Sequence, residues 1–243
     1  MTAFQLFGYI GAATALQLLL GAAVAVWRSK RKLRLEPPSI RMADRDSAWA
    51  GSRDFRVIER VFEDAARTQC SFTLAPVDGV PLAPFKPGQF LTFSLPVAGL
   101  ESPIRVVRCY SLSDTPNPAH YRITVKRAVV PPGRSDVPAG LGSTWLHDHG
   151  LPGTIVQVRA PAGQFTLSSD ANPPPVFIAG GIGITPILTM LKAALAGHPN
   201  CAIHLFYGVR NGRDHAFKTV LGQMAQTHPG FRLHILYADS GTA

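Results

Sequence analysis

The sequence predicts a β + α/β chain in three parts: an N-terminal transmembrane helix, an antiparallel six-stranded β-rich body, and a partial parallel-sheet α/β domain. Three observations carry this. Residues 1–27 hold no charged side chain, six short β-branched and aromatic runs follow between positions 54 and 159, and a strand–glycine turn–helix–strand order begins near position 174.

The first part is long enough to span a bilayer, since about 25 helical residues cover roughly 37 Å. Tyr9 and Trp27 stand where interfacial aromatic residues belong. A cleavable leader carries its positive charge before the apolar run; here Arg28, Lys30, Arg31, Lys32 and Arg34 follow it. The positive-inside rule then places position 28 onward on the cytoplasmic side of an inner (cytoplasmic) membrane, with a single pass. Those five residues also supply more than half of the formal net charge of +9. The remainder is only mildly basic, so no nucleic-acid face is expected. Residues 28–52 read as a basic linker in which Pro37 and Pro38 stop any helix.

Over the whole chain, 46% hydrophobic and 16% charged residues imply a packed core. Runs at 55–62, 70–74, 89–95, 105–112, 120–126 and 154–159 favour strand and have turn residues at their ends. Together they suggest a closed antiparallel barrel or a sandwich over 53–170. Within it, Arg108-Cys109-Tyr110-Ser111 has a chemical logic. Alternate strand residues share a face, so Arg108 and Tyr110 point the same way. The guanidinium can grip a diphosphate while the phenol ring lies on a planar heterocycle. Ser111 adds a small donor beside it. Further on, Gly140, Gly142, Ser143 and Thr144 precede a short helix; the glycines allow close backbone approach, and Ser143 or Thr144 can cap the helix over a phosphate. The same residues also suit a plain loop-to-helix cap.

No metal site is expected. His147 and His149 stand two apart, a spacing that does not share a helix face, and both are expected to face solvent. Cys70, Cys109 and Cys201 are scattered without metal-binding spacing and read as reduced thiols.

In the third part, 171–243, the apolar run 174–179 leads into Gly180, Gly181, Ile182, Gly183, Ile184, Thr185 and Pro186, then an apolar helix over 187–195 and a strand over 202–207. That is a βαβ order. Thr185 as N-cap and Pro186 at the first helical position would start the helix, and its N-terminus would favour an anion. The dinucleotide fingerprint is half met, because Pro186 takes the place of its third glycine. A second helix over 214–226 and a strand over 231–237 complete the pattern.

The order R-x-Y-S, G-x-x-S, GG-x-G-x-TP resembles the ferredoxin–NADP reductase superfamily, and the details look most like the reductase halves of flavohaemoglobins and oxygenase reductases. The resemblance covers about 53–243. It implies an FAD-binding β-barrel followed by a domain for NADH or NADPH. By that resemblance Arg108 binds the flavin diphosphate and Tyr110, beside Cys109, packs on the isoalloxazine. Ser111 lies near N5, and Phe90 stands where a tyrosine often touches FAD. Val125, Lys126 and 140–144 match adenine- and phosphate-side contacts; 180–186 match the pyridine-nucleotide loop, with Thr185 near the nicotinamide. Ser111 and Thr185 are thus the expected catalytic pair. Family members continue to a Cys-Gly-Pro turn beside the nicotinamide, so the C-terminus at Ala243 reads as truncated, after a fragment's worth of that domain. Asp239 favours NADH by repelling a 2′-phosphate; Arg210 favours NADPH.

The implied function is a membrane-anchored oxidoreductase that passes electrons from NAD(P)H through FAD to an iron–sulfur or haem acceptor. Its alternatives are the reductase component of a nitric-oxide dioxygenase or another oxygenase, a truncated non-catalytic flavin-binding module, and an anchored scaffold without cofactor.

Overall fold

The computed structural model describes residues 48–98, 102, 104–130, 133, 136–167, 175–199 and 201–239, all within one unit, Asp46–Ala243. The expected transmembrane helix over 1–27 and most of the linker lie outside the described residues. Among the described residues, no helix is long and apolar enough to cross a membrane.

Six strands form one antiparallel sheet: β1 Ser52–Phe62, β2 Gln69–Pro76, β3 Phe90–Val97, β4 Ile104–Ser111, β5 Tyr121–Lys126 and β6 Ile155–Ala162. Their spatial order is β4-β3-β6-β1-β2-β5. The sheet curls until its edges meet, where Leu112 bridges Ile123 and the Ser113 N–H donates to the Arg122 carbonyl at 2.8 Å. Alternation explains the core: Phe55 and Val57, Phe72 and Leu74, Leu91 and Phe93, Tyr121 and Ile123, and Val156 and Val158 all turn inward and are buried. A bulge between Val57 and Glu59 shifts the phase of β1, which leaves the apolar Ile58 and Val61 exposed.

Helix α1, Leu141–His149, lies against this body. Its imidazoles correct the expectation from sequence. His149 is exposed, but His147 is buried between Phe62 and Phe72, with its Nε2–H donated to the Val125 carbonyl at 2.9 Å. The helix is too short for its polar spacing to reveal which side it buries. Burial lowers the pKa of His147, and likewise that of His215, which bonds to the Tyr237 hydroxyl at 2.9 Å. Both stay neutral in the folded protein where unfolded histidine begins to charge. Their contribution to stability is therefore complete above the unfolded pKa of about 6.5 and is lost as pH falls below it. Melting temperature should drop between pH 7 and 5, and His147→Gln should flatten that slope.

A second sheet, parallel, joins β7 Val176–Gly180, β8 Ile203–Val209 and β9 Phe231–Tyr237 in sequence order. Helices α2, Ile184–Gly197, and α3, Lys218–Thr227, cover one face through Ile187, Leu188, Leu191 and Leu221. On the opposite face Val176, Ile178, Phe206 and Leu236 are exposed. A 3₁₀ turn at Gly181–Gly183 precedes α2, so the helix starts at Ile184 with Gly183 as its cap. Thr185 is thus already helical, and its hydroxyl donates to the Ile182 carbonyl at 3.1 Å. The cap expected at Thr185 is displaced because the 3₁₀ turn has already set the helical path. The second helix also starts later than predicted. Asn211 Oδ1 caps a short turn at Gly212–Asp214, and Phe217, at φ +60°, separates that turn from α3.

Candidate functional site

The site has a barrel side and a sheet side. On the barrel, Arg108 and Tyr110 share a face of β4, opposite Phe93 and Leu91 of β3. The Tyr110 ring meets Phe93 edge-on at 5.5 Å, which fixes its plane. Burial pushes its pKa up to about 12, partly opposed by Arg108, so the phenol remains protonated at neutral pH.

Both side chains converge on the start of α1. A Cβ at Gly142 would lie 2.8 Å from Arg108 Cγ and 3.1 Å from Tyr110 Oη, so any larger residue there would displace the Arg108 side chain. Gly140 is held by its N–H to the Ala128 carbonyl at 2.8 Å. Ser143 does not cap the helix. Its hydroxyl accepts from Ala128 N–H at 3.1 Å and donates to the Gly140 carbonyl at 3.0 Å, fastening the segment after β5 to α1. Thr144 N–H already bonds the Gly140 carbonyl at 2.9 Å. Of the β5 pair, Val125 faces the core at 2% exposure and its carbonyl is committed to His147, whereas Lys126 is half-buried. Cys109, on the other face of β4, is exposed and 3.4 Å from the Thr92 hydroxyl. Ser111 ends β4 half-buried and pairs with Phe90.

Sequence reasoning missed Gly163. At φ +114°, it lies under the Phe90 ring, where a Cβ would sit 2.9 Å from Cε1. Two residues on, Phe165 is 66% exposed. A glycine at a strand end followed by an aromatic residue was the available signal.

On the sheet side, the 3₁₀ turn sits at the carboxyl end of β7, the usual ligand-binding edge of an open parallel sheet. Cβ atoms built at Gly180, Gly181 and Gly183 would meet nothing within 4 Å. Gly181 adopts φ +48°, and Tyr207 Oη donates to its carbonyl at 3.1 Å, which holds the turn in place. Ile182 and Pro186 are half-buried beside it, while Ile184 and Thr185 turn into the core at 0% and 5% exposure. Thr185 therefore offers the site backbone more than side chain. The arrangement suits a planar ring with a diphosphate tail against β4 and α1, and a second phosphate-bearing ligand over the open turn.

Comparison with known proteins fits both halves. The family described as oxidoreductase NAD-binding domain matches residues 177–243. The flavohaemoprotein of Rhodopirellula baltica is 40% identical over 199 residues, covering 80% of this chain and 46% of that protein. The flavohaem-like FAD/NAD-binding domain of nitric oxide dioxygenase from Vibrio cholerae superposes with a TM-score of 0.69 at 31% identity, covering 78% of this chain and 76% of that one. The chain belongs to the ferredoxin–NADP reductase superfamily. Phthalate dioxygenase reductase, whose structure is described as modular for electron transfer from pyridine nucleotides to a [2Fe–2S] centre, gives a TM-score of 0.59 at 28% identity, over 79% of this chain and 54% of that one. The superfamily likeness thus extends over the curled barrel as well as the parallel sheet. This reductase-type chain spans about half the length of the curated relatives it matches.

Proposed function

We propose that the chain is the FAD- and nicotinamide-binding part of an NAD(P)H-dependent oxidoreductase that delivers electrons to a haem or iron–sulfur acceptor, with haem favoured by the flavohaemoprotein relatives. The observation that carries this is the convergence of Arg108 and Tyr110 on Gly142. With glycine at 142, the first turn of α1 packs directly against the two side chains that would hold a flavin. When bound, the flavin supplies the hydride acceptance and single-electron release that side chains lack. Arg108 holds the diphosphate with paired, charge-assisted bonds, helped by the first turn of α1. Tyr110, neutral and braced by Phe93, supports the ring system, and Ser111 and Phe90 line its reacting edge. The glycine turn admits the nicotinamide nucleotide, and Thr185 sets the backbone beside it.

NADH is the proposed donor. Arg210 Nε lies 3.9 Å from Asp214 Oδ2, so a carboxylate already faces the cation a 2′-phosphate would use, and the Asp239 N–H bonds the Arg210 carbonyl at 2.8 Å, which places a second acidic residue next to it in the fold. Attachment to the inner membrane through 1–27 is part of the same proposal, supported by the uncharged run and the basic cluster after it.

The test is to purify the protein with FAD and mix it with NADH in a stopped-flow spectrometer. Bound flavin absorbance that bleaches with NADH, and more slowly with NADPH, is the expected result. A protein that binds no flavin overturns the proposal; bound flavin that dithionite bleaches and NADH does not would leave only a flavin-binding module.

A further inference from the structure

We infer that Thr189 and the Pro87-Gly88 turn form a latch that sets the spacing between the barrel's cofactor face and the glycine turn, making Thr189 a positioning residue for hydride transfer; this rests on the function proposed above. The Gly88 N–H donates to Thr189 Oγ1 at 2.9 Å, a buried bond between residues 101 apart in sequence. Thr189 is 1% exposed. Its own proton goes to the Pro186 carbonyl at 2.8 Å, so the hydroxyl is fixed with a lone pair towards Gly88.

The latch has no slack. Gly88 adopts φ +104°, and a Cβ there would fall 2.1 Å from the Phe165 carbonyl oxygen and 2.3 Å from Met190 Cε. Its neighbour Pro87 accepts from Leu167 N–H at 3.2 Å. The turn, the segment after β6 and α2 therefore touch backbone to side chain at one point.

What the latch joins gives it a consequence. On the barrel side, the Gln89 carbonyl accepts from Leu112 N–H at 3.0 Å, and Phe90 pairs with Ser111, so the turn is bonded to the end of the R-x-Y-S strand. On the sheet side, Thr189 lies one helical turn, about 5.4 Å, beyond Thr185 and the glycine loop. One route from one ligand face to the other thus runs through this hydrogen bond and one turn of helix, while Ala66 N–H to the Arg213 carbonyl at 2.9 Å and Phe217 N–H to the Glu63 carbonyl at 3.2 Å join barrel and sheet further off. A second pin, Lys192 Nζ to Asp114 Oδ1 at 2.5 Å, holds α2 further along. With that pin intact, loss of the latch would let the start of α2 pivot instead of detaching. Reactive geometry is steep in distance, and a shift of about 1 Å can cost on the order of 100-fold in rate.

The test compares Thr189→Val, which keeps the shape and removes the hydroxyl, with Thr189→Ser, which restores it. Flavin bleaching at saturating NADH should slow by roughly tenfold or more in the valine variant and return to within about twofold in the serine variant. FAD affinity, half-saturating NADH and bleaching by dithionite should stay unchanged, and the Gly88 amide should exchange its hydrogen faster in the valine variant alone. Wild-type bleaching by Thr189→Val, unaltered Gly88 exchange, or a rate loss matched by lost FAD binding would each overturn the latch. A wild-type protein that NADH fails to bleach would instead overturn the proposed function, while Gly88 exchange would still report whether the latch exists.

Discussion

Replacing Arg108 with alanine is expected to weaken FAD binding by on the order of 100-fold and to leave the fold intact. Arg108 is an exposed residue on the outermost strand of the sheet, and its guanidinium bonds the neighbouring Val107 carbonyl at 2.8 Å. Its removal opens no core cavity, so melting of the cofactor-free protein should barely move. Under the proposed function, what is lost is the planar fork that would grip the diphosphate beside the start of α1. Hydrogen bonds to charged groups contribute about 1.5–3 kcal/mol each, and about 3 kcal/mol corresponds to the expected change in Kd. Lysine at this position should recover only part of the affinity, because a point charge cannot make the paired contact. Calorimetric titration with FAD checks both variants; wild-type affinity in Arg108→Ala would remove the diphosphate from this face.

Gly183→Ala is expected to move stability and activity in opposite directions. Gly183 has ordinary right-handed angles, φ −61° and ψ −7°, and a Cβ there would meet no atom within 4 Å. Alanine is therefore unstrained and reduces the entropy of the unfolded chain, which stabilises by about 0.4–1 kcal/mol. The same methyl would occupy the space through which a nucleotide reaches the turn, and the NADH concentration for half-maximal bleaching should rise at least about tenfold. Melting and stopped-flow titration on one preparation separate the two effects. A variant that melts lower, or that reacts normally with NADH, would show that the open space over the turn is not the nucleotide's. At the neighbouring Gly181, φ +48° would strain any alanine, so that position gives no such separation.

The parts of this arrangement that were legible in sequence are those governed by short periods. Arg108 and Tyr110 share a face because strand alternation places them there, and the strand extents follow from β-branched and aromatic runs bounded by turns. Helix starts were misplaced where backbone took over from side chains. The 3₁₀ turn before α2 left Thr185 nothing to cap, and Ser143 fastens a neighbouring segment instead of its own helix. His147 could not be placed because its burial depends on Phe62 and Phe72, far away in the chain. Nor does any local pattern announce that Gly88 meets Thr189, or that the Phe90 ring rests on Gly163. Those contacts follow from the curl of the sheet and from how α2 lies against it.

The insertion of β6 between β3 and β1 has a consequence for synthesis. Ser52 pairs with Arg159, roughly 100 residues later, and β3 also waits for β6 as its second neighbour. A ribosome adding about 5–20 residues per second needs on the order of 5–20 s to deliver that strand. Through this interval the β3–β4 and β1–β2 hairpins emerge with unpaired edges and apolar faces open to chaperones or to other nascent chains. The face that bears Arg108 and Tyr110 lies on β4, whose partner β3 gains its second neighbour only with that late strand. Under the proposed function, flavin supplied to a cell-free translation should protect the finished protein without speeding its first folding step.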